Sequence, residues 1–409
     1  MKKAAFIHLS IFGMLLLLDF TAQAALGAPA EIAYEEVLET ALESSTFVKA
    51  IAAQSAATKA EAVQLKTLSN PELAGEFRQY TTQENNLDDE YEISLTQPLR
   101  LSSFGVRQRL SELIEKSTVL SNKLELLEFS GNLQLIYAKA WALQEKEKLA
   151  QDLVARTRSL AEIIQRANLQ GLLPGSISQL FLAEIEKQNA ELIGITADRN
   201  RAKAELIKRS GVDYKTRLLK SINLPPLPDL DGGLDTANLP LADAKKLRLK
   251  IAATQRELAA LDAFPKFAPK IAFEHTADGD DRINFGLQID LPIFDRNQAA
   301  KLKSKAEEEF HESEVQQIDQ GNFHAEVSLV FRALEASTQQ AKLYKEKVLP
   351  ALEAALKAAT DELRAGQGNP QQVLQNLIEL RAAQDMYLQL VIKSLSERVE
   401  LSIMTGKEI

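Results

Sequence analysis

The sequence contains no cysteine, and histidine is scarce. Disulfide bonds, thiol nucleophiles and thiolate metal sites are therefore excluded, and the acceptor for an N-terminal lipid anchor is missing. Beyond the N-terminal segment only His275, His311 and His324 remain, and their spacings do not fit a ligand pair on one helix face. The sequence also lacks a nucleophile elbow, a glycine-rich phosphate loop and a paired-carboxylate motif. We expect no metal site, no cofactor and no enzymatic activity.

Long apolar runs are also lacking, apart from one near the start. Two lysines, an apolar run over residues 4–18 and the triplet Ala22-Gln23-Ala24 are typical of a secretory signal peptide. We predict a signal peptide over residues 1–24 and an exported chain. No later stretch supplies the roughly 18 consecutive apolar residues that a spanning helix requires. The net charge of −9 and the pI near 5.3 give no reason to expect nucleic-acid binding.

The second half of the chain repeats the spacing of prolines and glycines found in the first half. Pro71 and Pro98 each have a counterpart 194 positions later, and Gly171 and Gly211 each have one 195 positions later. One inserted residue reconciles the two offsets, which indicates an internal tandem repeat. The counterparts are, in chain order, Pro265, Pro292, Gly366 and Gly406.

Each predicted copy contains a helix, a β-hairpin and a long helical hairpin. The first copy covers 25–211, with strands over about 71–98 and helices over about 103–211. A flexible linker rich in proline, glycine and aspartate follows at 212–236. The second copy covers 237–409, with strands over about 267–292 and helices over about 295–406. In finer detail, we expect one helix over 34–68, and another over 296–349 that is capped by Asp295 and ends at Pro350.

The strands alternate between apolar and polar residues. Ile283, Phe285 and Leu287 point one way, and the polar residues between them point the other way. An apolar outer face and a polar inner face over about ten residues fit a barrel wall in lipid, although a soluble sheet remains the alternative. Four strands cannot close a barrel, so it would be shared among subunits. The candidates for its lumen face are Asn284, Gln288 and Asp290.

The helices are unusually long. No proline occurs from 103 to 168. Positions 110, 113, 117, 120, 124 and 127, all leucine except Ser117, recur there at alternating spacings of three and four, which is typical of a packed helical seam. Each long helix ends in glycine followed by proline, the pattern of a stop and a restart. The fold class predicted is mainly α with a small β part: long antiparallel helical hairpins plus four strands that contribute to a shared barrel.

The ordered set of these motifs resembles the TolC-like outer-membrane efflux family over nearly all of the mature chain. The resemblance implies a homotrimer with a 12-stranded barrel in outer-membrane lipid and a 12-helix periplasmic tunnel. It also implies docking to a periplasmic adaptor and an inner-membrane pump of the proton-driven RND type, with the heavy-metal branch most similar in layout. The motifs are Asn70-Pro71-Glu72-Leu73, Gln97-Pro98-Leu99, Leu291-Pro292-Ile293, Val348-Leu349-Pro350 and Gly366 ahead of Val373-Leu374.

The resemblance also assigns roles to particular residues. The hairpin tips, where the adaptor would bind, are Gly171, Leu172, Gly366 and Gly368; the alternative is that these glycines only end helices. Relatives place aspartates just after the tip, where this chain has Ser178, Gln372 and Gln375. Because neutral amides hold cations less strongly than carboxylates, we expect little block by divalent or trivalent cations. The nearby carboxylates, Asp361 and Glu362, are the alternative cation ligands.

The expected function is a passive outer-membrane channel that conducts small molecules or metal ions from an adaptor and pump to the exterior. Acidic helix faces along the tunnel would favour cations over anions. Two alternatives remain open: an outer-membrane conduit for type I protein secretion, and a periplasmic coiled-coil adaptor or scaffold.

Overall fold

The computed structural model describes residues 31–81, 87–211, 213–214, 217–228 and 239–407. The predicted signal peptide, 1–24, and the glycine-rich end of the predicted linker, 229–236, lie outside the described residues. Across the described ranges, no helix combines the length and apolarity needed to cross a membrane.

Helices form most of the described chain, and two short sheets accompany them. In the first half the elements are β1 (Glu31–Ile32), α1 (Tyr34–Ser44), α2 (Thr46–Lys66), β2 (Glu72–Thr81), β3 (Leu87–Thr96), α3 (Phe104–Leu169), α4 (Gly175–Ser210) and β4 (Leu218–Leu219). In the second half they are α5 (Pro240–Leu261), β5 (Lys266–His275), β6 (Asp281–Asp290), α6 (Gln298–Asp319), α7 (Asn322–Leu343), α8 (Leu349–Arg364) and α9 (Pro370–Thr405).

The predicted long helix of the first half is confirmed. Helix α3 has 66 residues and is about 100 Å long at 1.5 Å per residue. It packs against α4, which returns along it, and against α9 of the second half. Both returning helices end at a glycine in the left-handed conformation, Gly211 (φ 75°) and Gly406 (φ 63°), as the sequence predicts.

The single helix predicted over 296–349 is wrong. It is divided at Gly321, whose φ of 78° interrupts the helix between α6 and α7, and again by a π-helical turn, Tyr344–Val348. Pro350 does not end a helix but lies in the first turn of α8, where a missing N–H is tolerated. The N-cap of α6 is Asn297, not Asp295, whose Oδ1 accepts a hydrogen bond from the Asn297 N–H at 2.8 Å.

Two further expectations are corrected. The helix over 34–68 is two helices, because Ser45 leaves the helical conformation and its hydroxyl caps α2 by accepting from the Phe47 N–H at 3.2 Å. The described part of the linker is anchored rather than flexible. Strand β4 pairs in parallel with β1, and the buried Arg398 donates to the carbonyl oxygens of Pro225 (3.0 Å) and Pro226 (2.7 Å).

The main core lies midway along the helices, where β1 and β4 meet α3 and α9. The Tyr137 hydroxyl is within hydrogen-bonding distance of the carbonyl oxygens of Ile32 (2.7 Å) and Lys220 (2.9 Å), which ties α3 to this small sheet. Tyr214 is also fully buried, and its hydroxyl donates to the Leu206 carbonyl at 3.1 Å. Burial raises the pKa of Tyr214 to about 12.

Candidate functional site: the four-stranded sheet and the hairpin tips

The larger sheet is antiparallel with the strand order β2-β3-β5-β6. Ile93 lies opposite Phe273, which lies opposite Ile283. Because residues directly opposite each other share a face, the register joins the apolar residues of four strands into one surface, called here the apolar face. Its members are Leu73, Phe77, Tyr91, Ile93, Leu95, Phe267, Pro269, Ile271, Phe273, Ile283, Phe285, Leu287 and Ile289.

The apolar face is not covered by any other part of the described chain. Leu73 is 74% exposed, Ile283 65% and Phe285 82%. Soluble monomers rarely expose contiguous apolar surfaces of this extent, and larger ones mark interfaces with proteins or membranes. The sheet is therefore built to face an apolar medium or a partner rather than water.

The opposite face is polar, and its charges are paired across strands. Lys270 Nζ lies 2.5 Å from Glu92 Oε1, and Asn284 Nδ2 donates to Glu274 Oε2 at 2.8 Å. The predicted lumen residues, Asn284, Gln288 and Asp290, all lie on this face. Cross-strand pairs of this kind stabilise a sheet.

The two outer strands leave the sheet open. Among the described residues β2 pairs only with β3, and β6 pairs only with β5. An outer strand of ten residues presents a row of unpaired N–H and C=O groups, which is a template for pairing with another chain. Four strands are too few to close a barrel on their own.

The hairpin tips depend on glycine in two different ways. Gly171 (φ 72°) and Gly366 (φ 78°) have left-handed backbones that end α3 and α8. At Gly368 the constraint is space, since a Cβ atom there would lie 2.3 Å from the backbone N of Leu363. Leu172, whose N–H donates to Ala167 O at 2.9 Å, is 71% exposed at the first tip. Both tips therefore have shapes that few other residues could form.

The candidate constriction residues lie just beyond the tips. Ser178 is half-buried in the first turns of α4, and Gln372 and Gln375 are exposed in the first turns of α9. Each glutamine donates to the next turn of its own helix, Gln372 to Asn376 and Gln375 to Glu379, both at 2.9 Å. In the described part of the chain no hydrogen bond joins Ser178 to either glutamine. The exposed amides are thus available to line an opening.

Comparison with known proteins identifies the fold. No protein-family model matches the sequence, and no curated protein matches it either. Among solved structures, the channel-forming CusC has a TM-score of 0.75 at 16% identity, covering 91% of this chain and 92% of that one. The CmeC outer membrane channel of Campylobacter jejuni has a TM-score of 0.76 at 13% identity, covering 92% of this chain and 86% of that one. VceC, an outer membrane protein of Vibrio cholerae, has a TM-score of 0.72 at 16% identity, covering 92% of this chain and 97% of that one.

The chain has the fold of TolC-like outer-membrane channels. At 13–16% identity the likeness lies in the fold, and it confirms the resemblance that the ordered proline and glycine motifs predict. The four-stranded sheet with an exposed apolar face and the paired helical hairpins belong to this channel fold over about nine-tenths of the chain.

Two of the described histidines, His275 and His311, each lie beside a single carboxylate. His275 Nδ1 lies 2.7 Å from Asp281 Oδ1, and His311 Nδ1 lies 2.8 Å from Glu314 Oε2. Among the described residues there is no group of three or more histidine, aspartate and glutamate side chains that could hold a metal ion.

An ion-pair cluster that the sequence does not predict joins the two helical hairpins. Lys146 on α3 lies 3.2 Å from Asp385 on α9, and Arg381 lies 3.0 Å from the same carboxylate. Desolvation lowers the pKa of Arg381, and the charge of Asp385 opposes that shift. Next to Lys146, the buried Glu147 is held by Arg199 and accepts from Thr196 Oγ1 at 2.7 Å. The spacing of Arg381 and Asp385 could have suggested one pair, but the contact across hairpins has no local signal.

Proposed function

We propose that the chain is one subunit of an outer-membrane efflux channel. The observation that carries this proposal is the apolar face, which is exposed over four paired strands whose outer edges are both open. A water-soluble scaffold or adaptor would have no use for such a surface. The similarity in fold to outer-membrane channels supports the same conclusion.

In the proposed assembly three copies close one barrel of twelve strands. The open edge of β6 in one copy pairs with the open edge of β2 in the next, so that no unpaired edge remains. A ten-residue strand is about 33 Å long and spans about 25 Å when tilted by about 40°, which matches the apolar band of barrels in the outer membrane. Asn284, Gln288 and Asp290 then face the lumen.

The helical hairpins extend the barrel into a periplasmic tunnel, and their tips dock to an adaptor. The exposed Leu172 at one tip and the shape imposed by Gly366 and Gly368 at the other support a role in recognition. An inner-membrane pump of the proton-driven RND type supplies the energy, and the channel itself conducts small molecules or metal ions passively. Ser178, Gln372 and Gln375 form a neutral constriction near the tips.

We also infer that the two halves are copies of one ancestral unit. The offset between them changes from 194 to 195 between Pro292 and Gly366. The π-helical turn, Tyr344–Val348, lies within that interval, and a turn closed by i→i+5 hydrogen bonds holds one more residue than an α-helical turn. The extra residue of the second copy is accommodated there.

Cross-linking tests the shared barrel, because the chain has no native cysteine to remove. Glu76→Cys on the polar face of β2 is combined in turn with cysteine at each even position of β6 from Arg282 to Asp290. In outer-membrane fractions treated with a short thiol cross-linker, at least one combination should give covalent trimers on denaturing gels.

The matched control places both cysteines within one chain. Glu92 and Glu274 lie directly opposite each other on β3 and β5 and are both partly exposed, so Glu92→Cys with Glu274→Cys should cross-link and still migrate as a monomer. Recovery of the protein from the soluble fraction, with no intermolecular product anywhere along β6, would contradict the proposal. A pump of the ABC type encoded beside this chain would favour the protein-secretion alternative.

A further inference from the structure

A cleft of about 470 Å³ lies where the sheet meets the helices. It is bounded by the end of α5 and by the segment that leaves β6, and its walls include Phe264, Leu291 and Ile293. Phe264 is 57% exposed and Ile293 61%. Leu291 and Ile293 follow directly after β6 in the chain, so the apolar walls of the cleft adjoin the end of the apolar face.

Two cations lie at the same cleft, Arg296 and Lys301. No carboxylate lines it, and across the described residues neither side chain forms an ion pair. The adjoining cleft of about 490 Å³ differs in this respect, because its charges include the pairs Arg107–Asp262 (2.6 Å) and Lys266–Asp290 (4.0 Å). Only the cleft of about 470 Å³ combines apolar walls with positive charges that no carboxylate neutralises.

The backbone around these cations is fixed by hydrogen bonds. Asn297, with a left-handed φ of 60°, donates from Nδ2 to the Ala259 carbonyl at 2.9 Å, which ties the start of α6 to the end of α5. The Ile293 N–H donates to the Leu291 carbonyl at 2.9 Å and closes a tight turn. The cleft is therefore already formed in a single chain.

We propose that this cleft binds an anionic phospholipid from the membrane leaflet on the helix side of the sheet. The phosphate lies between Arg296 and Lys301, and an acyl chain lies along Phe264 and Ile293. The inference rests on the proposed function, because only a sheet in lipid brings the cleft to the level of the headgroups. The apolar walls select a lipid over a soluble anion, and the cations select an anionic headgroup.

Native mass spectrometry of delipidated channel in detergent tests this site. Wild type should retain phosphatidylglycerol in preference to phosphatidylcholine, at one molecule per chain. In Arg296→Gln/Lys301→Gln we expect about 30-fold weaker phosphatidylglycerol binding, which equals about 2 kcal/mol at 1.4 kcal/mol per factor of ten. The control Lys303→Gln/Lys305→Gln removes two cations of α6 that lie outside the cleft, and it should bind as wild type does.

Equal retention of phosphatidylglycerol by Arg296→Gln/Lys301→Gln and by wild type would overturn the proposal. Displacement of the lipid by millimolar inorganic phosphate would also overturn it, since the site would then be a simple anion site. Conductance of the same preparation in planar bilayers separates the two claims. Channels without selective lipid binding reject the lipid site alone, whereas a preparation that forms no channels rejects the proposed function.

Discussion

Replacing Phe285 by arginine tests which medium surrounds the sheet. Phe285 is the fifth of ten residues in β6, is 82% exposed and lies opposite Ile271 on the apolar face. Halfway along a strand that spans about 25 Å, it would lie near the centre of the bilayer. Arginine at that depth costs about 2–4 kcal/mol per chain, and about 6–12 kcal/mol for three chains. At an exposed site in water the cost is usually within about 0.5 kcal/mol.

The assay is the urea midpoint of channel refolded into lipid vesicles, together with the yield of protein in outer-membrane fractions. Phe285→Arg should lower both, whereas Gln288→Arg, on the polar face of the same strand, should change the midpoint little. Equal losses for the two variants, or an unchanged midpoint for Phe285→Arg, would refute the assignment of the apolar face to lipid.

Three further predictions concern the tips and the core. Gly368→Ala should lower the thermal midpoint and expose the second tip to proteolysis, because its Cβ would lie 2.3 Å from Leu363 N. Gly105→Ala, in the first turn of α3 with no atom within 4 Å of the added Cβ, should not lower the midpoint. Gln375→Asp should strengthen block by trivalent cations in single-channel recordings, and strong block of wild type would contradict the neutral constriction. Because the folded-state pKa of Tyr214 is about 12 and its ordinary value is 10.0, unfolding free energy should fall as pH rises between them. Tyr214→Phe should reduce that fall in denaturant titrations followed by circular dichroism.

The features that the sequence predicts well are those with a local cause. The 66-residue helix α3 can form because proline is absent from this part of the sequence. It ends at Gly171 because glycine adopts the left-handed backbone conformation without steric cost. The two faces of β6 follow from strict alternation. Each of these signals is contained within a few residues, so no knowledge of the packing is needed to interpret it.

Other features depend on contacts between distant segments. The pairing of β3 with β5 and the contact of Lys146 with Asp385 join residues that are far apart in the chain. The single helix predicted over 296–349 is wrong because proline is tolerated in a first helical turn, as at Pro350, and because one glycine, Gly321, divides the helix. The cleft beside Arg296 also needs the end of α5, which no local pattern places there.

The long helical segments that follow the two β-hairpins, α3 in the first half and α6 to α8 in the second, differ in how continuous their helical hydrogen bonding is. The first, α3, is one uninterrupted ladder of hydrogen bonds, whereas the second is interrupted at Gly321 and again at the π-helical turn. Helices bend most readily where such interruptions occur. A force applied to both tips would thus bend the helices of the second half at Gly321 and at the π-helical turn, whereas α3 would transmit the force without bending.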